Sequence, residues 1–312
     1  MRFRDRFENF ESTAFFNHPG LAIGRGGVAA GAAMANKDVT AIDLTQTFTV
    51  DDFFYAKPDG AGGGKPGGGG GGGGGGGSTP ADYTSGSTDG SGFNITIKFE
   101  GTWSDALYNI FVAAADFYTA LIVGDLQDVT VTSGRGKRAT TETIDDITIT
   151  ASLITIDGSG GVLGRAGPTA LRTGNSLPAT AIMEFDLADA DTFNAAGLFD
   201  DIVLHEMGHA LGFGTIWDRL GLINPDNTFG GELASAEHAA QFNGDFTIDI
   251  ETDGGQGTAF GHWDDATYTN ELMTGYISDP NYYSYFSAAA YGDMGYQLAG
   301  NYRAVVDDLN VA

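Results

Sequence analysis

The sequence predicts an α+β fold in which a mixed twisted sheet is covered by a long backing helix and by a second, buried helix. Three observations predict it. Strand-like segments flank one long helical segment between residues 93 and 185, a strongly apolar helical segment follows at 200–214, and a mostly irregular region comes after about residue 215. With 312 residues, 42% of them hydrophobic, the chain can bury a sizeable core.

Composition divides the chain into three parts. Residues 1–57 are nearly neutral and too few to hold a core alone, so we expect an N-terminal segment that contains a strand or resembles a pro-segment. Residues 58–92 are rich in glycine, with an unbroken tract at 67–77, and predict a flexible linker. The main folded domain is expected at 93–312, with an N-terminal subdomain of about 93–214 and a C-terminal subdomain of about 215–300.

Each predicted element follows from a local pattern. Alternating apolar and polar residues predict a strand at 93–101, and Ser104 is a good N-cap for a helix through about Ile122. Runs of β-branched and aromatic residues predict further strands at 128–132, 146–156, 181–185 and 247–251. The glycine-rich segment 158–168 is predicted as a loop, and 231–242 as a short helix.

The net charge of −26 and the absence of cysteine limit the possible functions. An acidic surface repels a phosphate backbone, so we expect no nucleic-acid partner. Without cysteine, a transition-metal site must use histidine and carboxylate ligands. The acidic clusters indicate either a solvated surface or Ca²⁺ ligands, for which Asp186, Asp189 and Asp191 are candidates. No apolar run is long enough to predict a transmembrane segment.

The segment 200–214 carries the main chemical motif, H-E-x-x-H. On a helix, His205 and His209 project from one face about one turn apart, so that both rings can bind one cation while Glu206 reaches a bound water. Gly212 can end the helix in a left-handed conformation and turn the chain back toward the metal. A chance occurrence of this spacing is the simpler alternative.

A catalytic zinc ion usually takes three protein ligands, so one more is needed. The compact spacing would place it at position 215, which is Thr215. The favoured candidate is His262, which is followed by a predicted turn that contains Met273. The alternatives are Glu237, which would suit a different class of zinc peptidase, and His238.

These motifs resemble those of the leishmanolysin family of metzincin zinc endopeptidases, in a small bacterial-type form. The resemblance rests on HEMGHALGFGTIW at 205–217, HW at 262–263 and ELMTGY at 271–276, and extends over roughly 93–298. It implies a metzincin-like fold in which 200–214 is the active-site helix and 93–312 the zinc metallopeptidase catalytic domain. By residue, the resemblance implies that His205, His209 and His262 are zinc ligands and that Glu206 is the general base. It also implies that Gly212 forms the turn and that Met273 lies beneath the metal.

The predicted function is therefore a zinc-dependent endopeptidase that acts on a protein or peptide substrate, with Glu206 as general base. The strand at 181–185 is the candidate edge strand for an extended substrate, and Tyr276 either assists the oxyanion or is structural. We expect a secreted protein without surface attachment, and we leave its oligomeric state open. The alternative function is a non-catalytic, zinc- or calcium-stabilised secreted binding or adhesion module.

Overall fold

The computed structural model describes residues 40–43, 54–58, 78–87, 89–133 and 139–311. These residues form a ten-stranded sheet and eight helices. The strands are β1 (Thr40–Asp43), β2 (Phe54–Pro58), β3 (Tyr83–Thr84), β4 (Ile95–Glu100), β5 (Val129–Ser133), β6 (Thr140–Ile144), β7 (Ile147–Ile154), β8 (Gly164–Arg172), β9 (Pro178–Asp186) and β10 (Tyr276–Ile277). The helices are α1 (Asp105–Leu121), α2 (Ala190–Ala196), α3 (Phe199–Ala210), α4 (Trp217–Leu220), α5 (Glu232–Gln241), α6 (Asp265–Tyr268), α7 (Tyr285–Met294) and α8 (Tyr302–Val311).

The strands form a mixed sheet in the order β3-β4-β7-β9-β8-β1-β5-β6. Its centre is parallel, because β7 pairs in parallel with both β4 and β9. The next strand, β8, is antiparallel to β9. The other side of β8 carries two strands from the start of the chain: β2 pairs with its first residues and β1 with its last. The α+β class with a mixed sheet is thus confirmed.

The predicted backing helix is present as α1. Ser104 caps it, since its hydroxyl accepts a hydrogen bond from the Leu107 N–H at 3.3 Å. The buried face of α1 packs against α3, where the Tyr118 hydroxyl donates to the Leu204 carbonyl at 3.0 Å. Because Leu204 precedes the H-E-x-x-H motif, this bond ties the backing helix to the helix that carries the motif.

The strand predicted at 181–185 is present within β9, but it is not an edge strand. It lies between β7 and β8 and pairs with both. The prediction of a loop at 158–168 is wrong in its second half, because β8 begins at Gly164. Glycine and proline obscured this strand, and Pro168 is tolerated because it lies at a register shift in the β8–β9 ladder. The strand predicted at 247–251 forms only isolated bridges.

The structure describes two strand pairings within the range 58–92 that is predicted as a linker. Ser78 forms a bridge with Trp103, and β3 pairs with β4 at the edge of the sheet. The glycine tract at 67–77 lies outside the described residues. β1 and all of β2 except Pro58 lie within the predicted N-terminal segment, and both strands join the main sheet through backbone pairing.

Residues 215–311 contain short helices separated by turns. Single residues of this region reach the end of α3: His262 lies against His209, and the Tyr296 hydroxyl donates to the Leu211 carbonyl at 2.8 Å. The helix predicted at 231–242 is present as α5, which packs on α7. Across the described ranges, no helix combines the length and apolar character needed to span a bilayer.

Candidate metal centre

The H-E-x-x-H motif lies on α3, which is buried along nearly its whole length. His205, Glu206 and His209 each have 0% relative exposure, although such residues are rarely buried without partners. The α3 helix can be this apolar because α1 packs against it, as do the strands β8 and β9. Burial of these polar groups on a packed helix fixes their positions, as a metal site requires.

Two glycines after α3 turn the chain and bring a distant segment against it. Gly212 has φ of +108° and Gly214 has φ of +70°, values that residues with a Cβ rarely adopt. At Gly214 a Cβ would lie 2.1 Å from the carbonyl oxygen of Gly261, the residue before His262. Only glycine permits this approach, which places His262 beside α3 across an insertion of more than forty residues.

The structure brings the side chains of His205, His209 and His262 together. The Nε2 atom of His209 lies 2.9 Å from that of His205 and 3.0 Å from that of His262, and the His205 and His262 Nε2 atoms are 3.2 Å apart. All three rings are completely buried. Tetrahedral zinc–nitrogen bonds of ~2.0–2.1 Å would place ligand nitrogens about 3.4 Å apart, close to these separations.

The second nitrogen of each ring fixes the tautomer. Each Nδ1 lies within 2.9 Å of a backbone carbonyl, which can only accept a hydrogen bond, so each Nδ1 must carry the hydrogen. The carbonyls belong to Leu272, Phe213 and Thr258. Three Nε2 lone pairs therefore converge with no hydrogen between them, and a cation at their centre relieves the repulsion. Neutral imidazoles oriented by carbonyls fit Zn²⁺.

Burial keeps two of these imidazoles, those of His205 and His209, unprotonated. Burial lowers the pKa of His205 to about 4, against a smaller opposing effect of its bond to Leu272. Burial also lowers the pKa of His209 well below its usual value, and the adjacent His205 and His262 lower it further. Metal binding at neutral pH therefore requires no displacement of protons from these two rings.

Met273 lies beneath the histidines in a tight turn. A Cβ at Gly208, between the two histidines of α3, would lie 3.0 Å from the Met273 Cε and within 2.9 Å of two tyrosine hydroxyls, Tyr118 and Tyr291. Gly208 is thus the residue that lets the methionine approach the helix, a role that the sequence did not suggest.

The turn that holds Met273 is organised by the buried carboxylate of Glu271. The Glu271 Oε2 atom accepts the Met273 N–H at 2.5 Å, and Oε1 accepts a hydrogen bond from the Ser287 hydroxyl at 2.5 Å. The Ser287 hydroxyl in turn accepts the indole N–H of Trp263, the neighbour of His262, at 2.7 Å. One carboxylate therefore connects the turn to the segment that carries the third histidine.

Glu206 faces the beginning of β8. A Cβ on Gly164 would lie 3.1 Å from the Glu206 Cγ and 3.0 Å from the Phe185 ring. The backbone of β8 therefore passes directly over Glu206. An extended polypeptide that pairs with β8 would thus lie close to this side chain. The role of Tyr276 remains a prediction; burial, followed by nearby carboxylates, raises the pKa of its hydroxyl.

The alternative third ligands lie elsewhere. Glu237 is bonded to Tyr302 and Arg303. His238 is buried, with its Nε2 2.9 Å from the Tyr268 hydroxyl. Neither residue belongs to a potential metal-binding group within the described part of the chain.

The three aspartates considered for Ca²⁺ do not converge either. Asp186 and Asp189 accept backbone N–H bonds from the segment 156–160, and Asp191 is exposed. A different acidic trio, Asp125, Asp145 and Asp146, is brought together. Within that trio, both oxygens of Asp146 already accept backbone N–H groups.

The two histidines of the H-E-x-x-H helix converge with His262 from a distant segment, which is the donor set of a metal site. Residues 169–306 match the family model described as leishmanolysin. The match supports a leishmanolysin-like metallopeptidase and covers the whole histidine group, the glycine turn and Met273. No curated protein matches the chain.

Proposed function

We propose that this protein is a zinc-dependent endopeptidase in which His205, His209 and His262 hold the metal and Glu206 is the general base. The observation that carries the proposal is the convergence of three Nε2 atoms within 3.2 Å, each on a ring whose Nδ1 is committed to a carbonyl. The match to a peptidase family supports peptide bonds as the substrate class.

His205, His209 and His262 would hold a zinc ion, which would supply a Lewis acid and lower the pKa of water to about 7. Glu206 takes a proton from the water that attacks the peptide carbonyl and delivers it to the leaving nitrogen. Glu206 is buried with its Cγ against Gly164 of β8, so its side chain lies next to the strand with which an extended substrate would pair. His205 and His209 stay neutral, since burial keeps their pKa values low.

The experiment is hydrolysis of unfolded, fluorescently labelled casein by the zinc-loaded wild-type chain and by Glu206→Gln. Glutamine keeps the size of the side chain and removes the base, so we expect zinc binding to persist and the rate to fall by about 10²-fold or more. The matched control is Glu232→Gln, the same substitution at an exposed position on α5, which should retain the wild-type rate.

Chelation of the zinc should abolish hydrolysis by the wild-type chain, and added zinc should restore it. If Glu206→Gln cleaves as fast as the wild type, Glu206 is not the base. The same assay is applied to Ala56→Pro, the variant described below that releases β2. If no chain cleaves casein although each binds one zinc ion, the site is a non-catalytic zinc module.

A further inference from the structure

Strand β2 lies in an unusual position for a segment so early in the chain. It runs antiparallel to β8, with Phe54, Tyr55 and Ala56 opposite Ala166, Arg165 and Gly164. On its other side it runs parallel to β10, with Lys57 and Pro58 opposite Tyr276 and Ile277. It also lies against α3. β2 therefore fills the gap between the strand that covers Glu206 and the strand that follows Met273.

The register places the centre of β2 at the metal site. Ala56 pairs with Gly164, whose Cβ position is 3.1 Å from the Glu206 Cγ. On the other side, β10 begins directly after Gly275, and a Cβ on Gly275 would lie 3.9 Å from the His262 ring. The backbone of β2 at positions 56 and 57 thus lies between Gly164, which is close to Glu206, and Gly275, which is close to His262.

We propose that residues 54–58 are a built-in competitor that closes the substrate groove of this chain. The inference rests on the proposed endopeptidase function. The backbone groups of β8 and β10 can pair with only one strand at a time, so an extended polypeptide substrate enters this groove only when β2 leaves it. Because β2 belongs to the same chain, it competes at a high effective concentration. We therefore expect the full chain to be less active than a chain from which β2 is released.

The test uses full-length chains, because β1 also pairs with the sheet and its removal would alter more than the groove. Ala56→Pro removes an N–H from a strand that is paired on both sides and so weakens β2. Ala61→Pro is the matched control, because it makes the same substitution in the glycine-rich sequence beyond β2.

The first measurement is binding rather than catalysis, and all its chains carry Glu206→Gln and zinc. A fluorescein-labelled peptide of sequence DDFFYAKPDGA, which copies residues 51–61, is titrated by fluorescence anisotropy. We expect it to bind the chain with Ala56→Pro about ten-fold more tightly, or more, than the chain with Ala61→Pro or with neither change. Equal affinity for all three chains overturns the proposal.

Amide hydrogen exchange gives a second readout that does not depend on a variant folding. In the zinc-loaded wild-type chain, the amides of 276–277 and those amides of 164–166 that point toward β2 rather than β9 should be protected, and Ala56→Pro should remove protection from both sets together. Rapid exchange of both sets in the wild-type chain would show an open groove and overturn the proposal.

The consequence for activity is measured with Glu206 intact. We expect Ala56→Pro to hydrolyse unfolded casein about ten-fold faster than the wild type, with Ala61→Pro unchanged. Equal rates for active chains, or self-cleavage within 54–58 detected by intact mass, would show that β2 is not an inhibitor. If the binding and exchange results hold but no chain cleaves casein, strand occupancy stands and the endopeptidase function fails.

Discussion

Replacement of Glu271 by glutamine tests whether a buried carboxylate holds the turn beneath the histidines. The two oxygens of Glu271 accept four hydrogen bonds: from the Met273 N–H at 2.5 Å, the Ser284 N–H at 3.0 Å, the Ser284 hydroxyl at 2.8 Å and the Ser287 hydroxyl at 2.5 Å. An amide has only one accepting oxygen. Whichever way the glutamine side chain is oriented, its NH₂ group faces at least one donor.

The least damaging orientation of the glutamine places its oxygen toward the two serines and keeps three of the four bonds. It then loses the bond from the Met273 N–H, and a hydrogen bond to a charged acceptor contributes about 1.5–3 kcal/mol. We therefore expect Glu271→Gln to lower the free energy of unfolding by about 2–3 kcal/mol. Guanidinium denaturation of the zinc-free chains measures this without a contribution from metal binding.

Glu232→Gln, at an exposed position, is the control and should change the unfolding free energy by less than about 0.5 kcal/mol. Burial raises the pKa of Glu271, and the four donors oppose that shift. A loss below about 1 kcal/mol for Glu271→Gln would mean that the native side chain is already protonated, and it would refute the reasoning.

Two further predictions concern the metal and the loop before β8. His262→Ala should weaken zinc binding by more than about 100-fold in a competition titration with a chelating dye, whereas His238→Ala, which removes a buried histidine outside the group, should leave zinc affinity unchanged. Burial tends to raise the pKa of Asp186, but bonds from four backbone N–H groups lower it below its ordinary 3.8. The Asp186 carboxylate therefore contributes its full stabilisation above pH 3.8, and this stabilisation is lost in stronger acid. In urea denaturation, Asp186→Asn should lower the free energy of unfolding by about 1–3 kcal/mol at pH 7 and by progressively less below pH 3.8. A difference that is independent of pH would contradict this account.

Local sequence patterns were sufficient to predict the helix α1 and the strands β4 and β7. The helix α1 has a clear cap at Ser104, and β4 and β7 alternate between buried and partly buried residues. The motif on α3 identified two of the converging histidines directly. The favoured third residue, His262, was reached through the need for another ligand, and its position depends on close contact between Gly214 and Gly261.

Other features depend on contacts between distant residues, which a local pattern does not encode. β8 has little alternation because nearly all of its residues are buried and it lies against α3. Gly164 leaves room for Phe185 and Glu206. Gly208 similarly leaves room for Met273. The partners of β1 and β2 lie about a hundred to two hundred residues away, beyond the range of any sequence periodicity. The secreted location and the division into domains remain predictions.

The position of β1 has a consequence for how the chain folds. β1 lies between β8 and β5, so the first described strand of the chain must wait for partners that are synthesised much later. Contacts this distant in sequence raise the contact order and slow folding, because loop closure precedes the energetic gain. The outer side of β8 is thus left unpaired in early intermediates, where its exposed backbone is an aggregation hazard. Closure of the sheet by the N-terminal strands is expected to be a late step in folding.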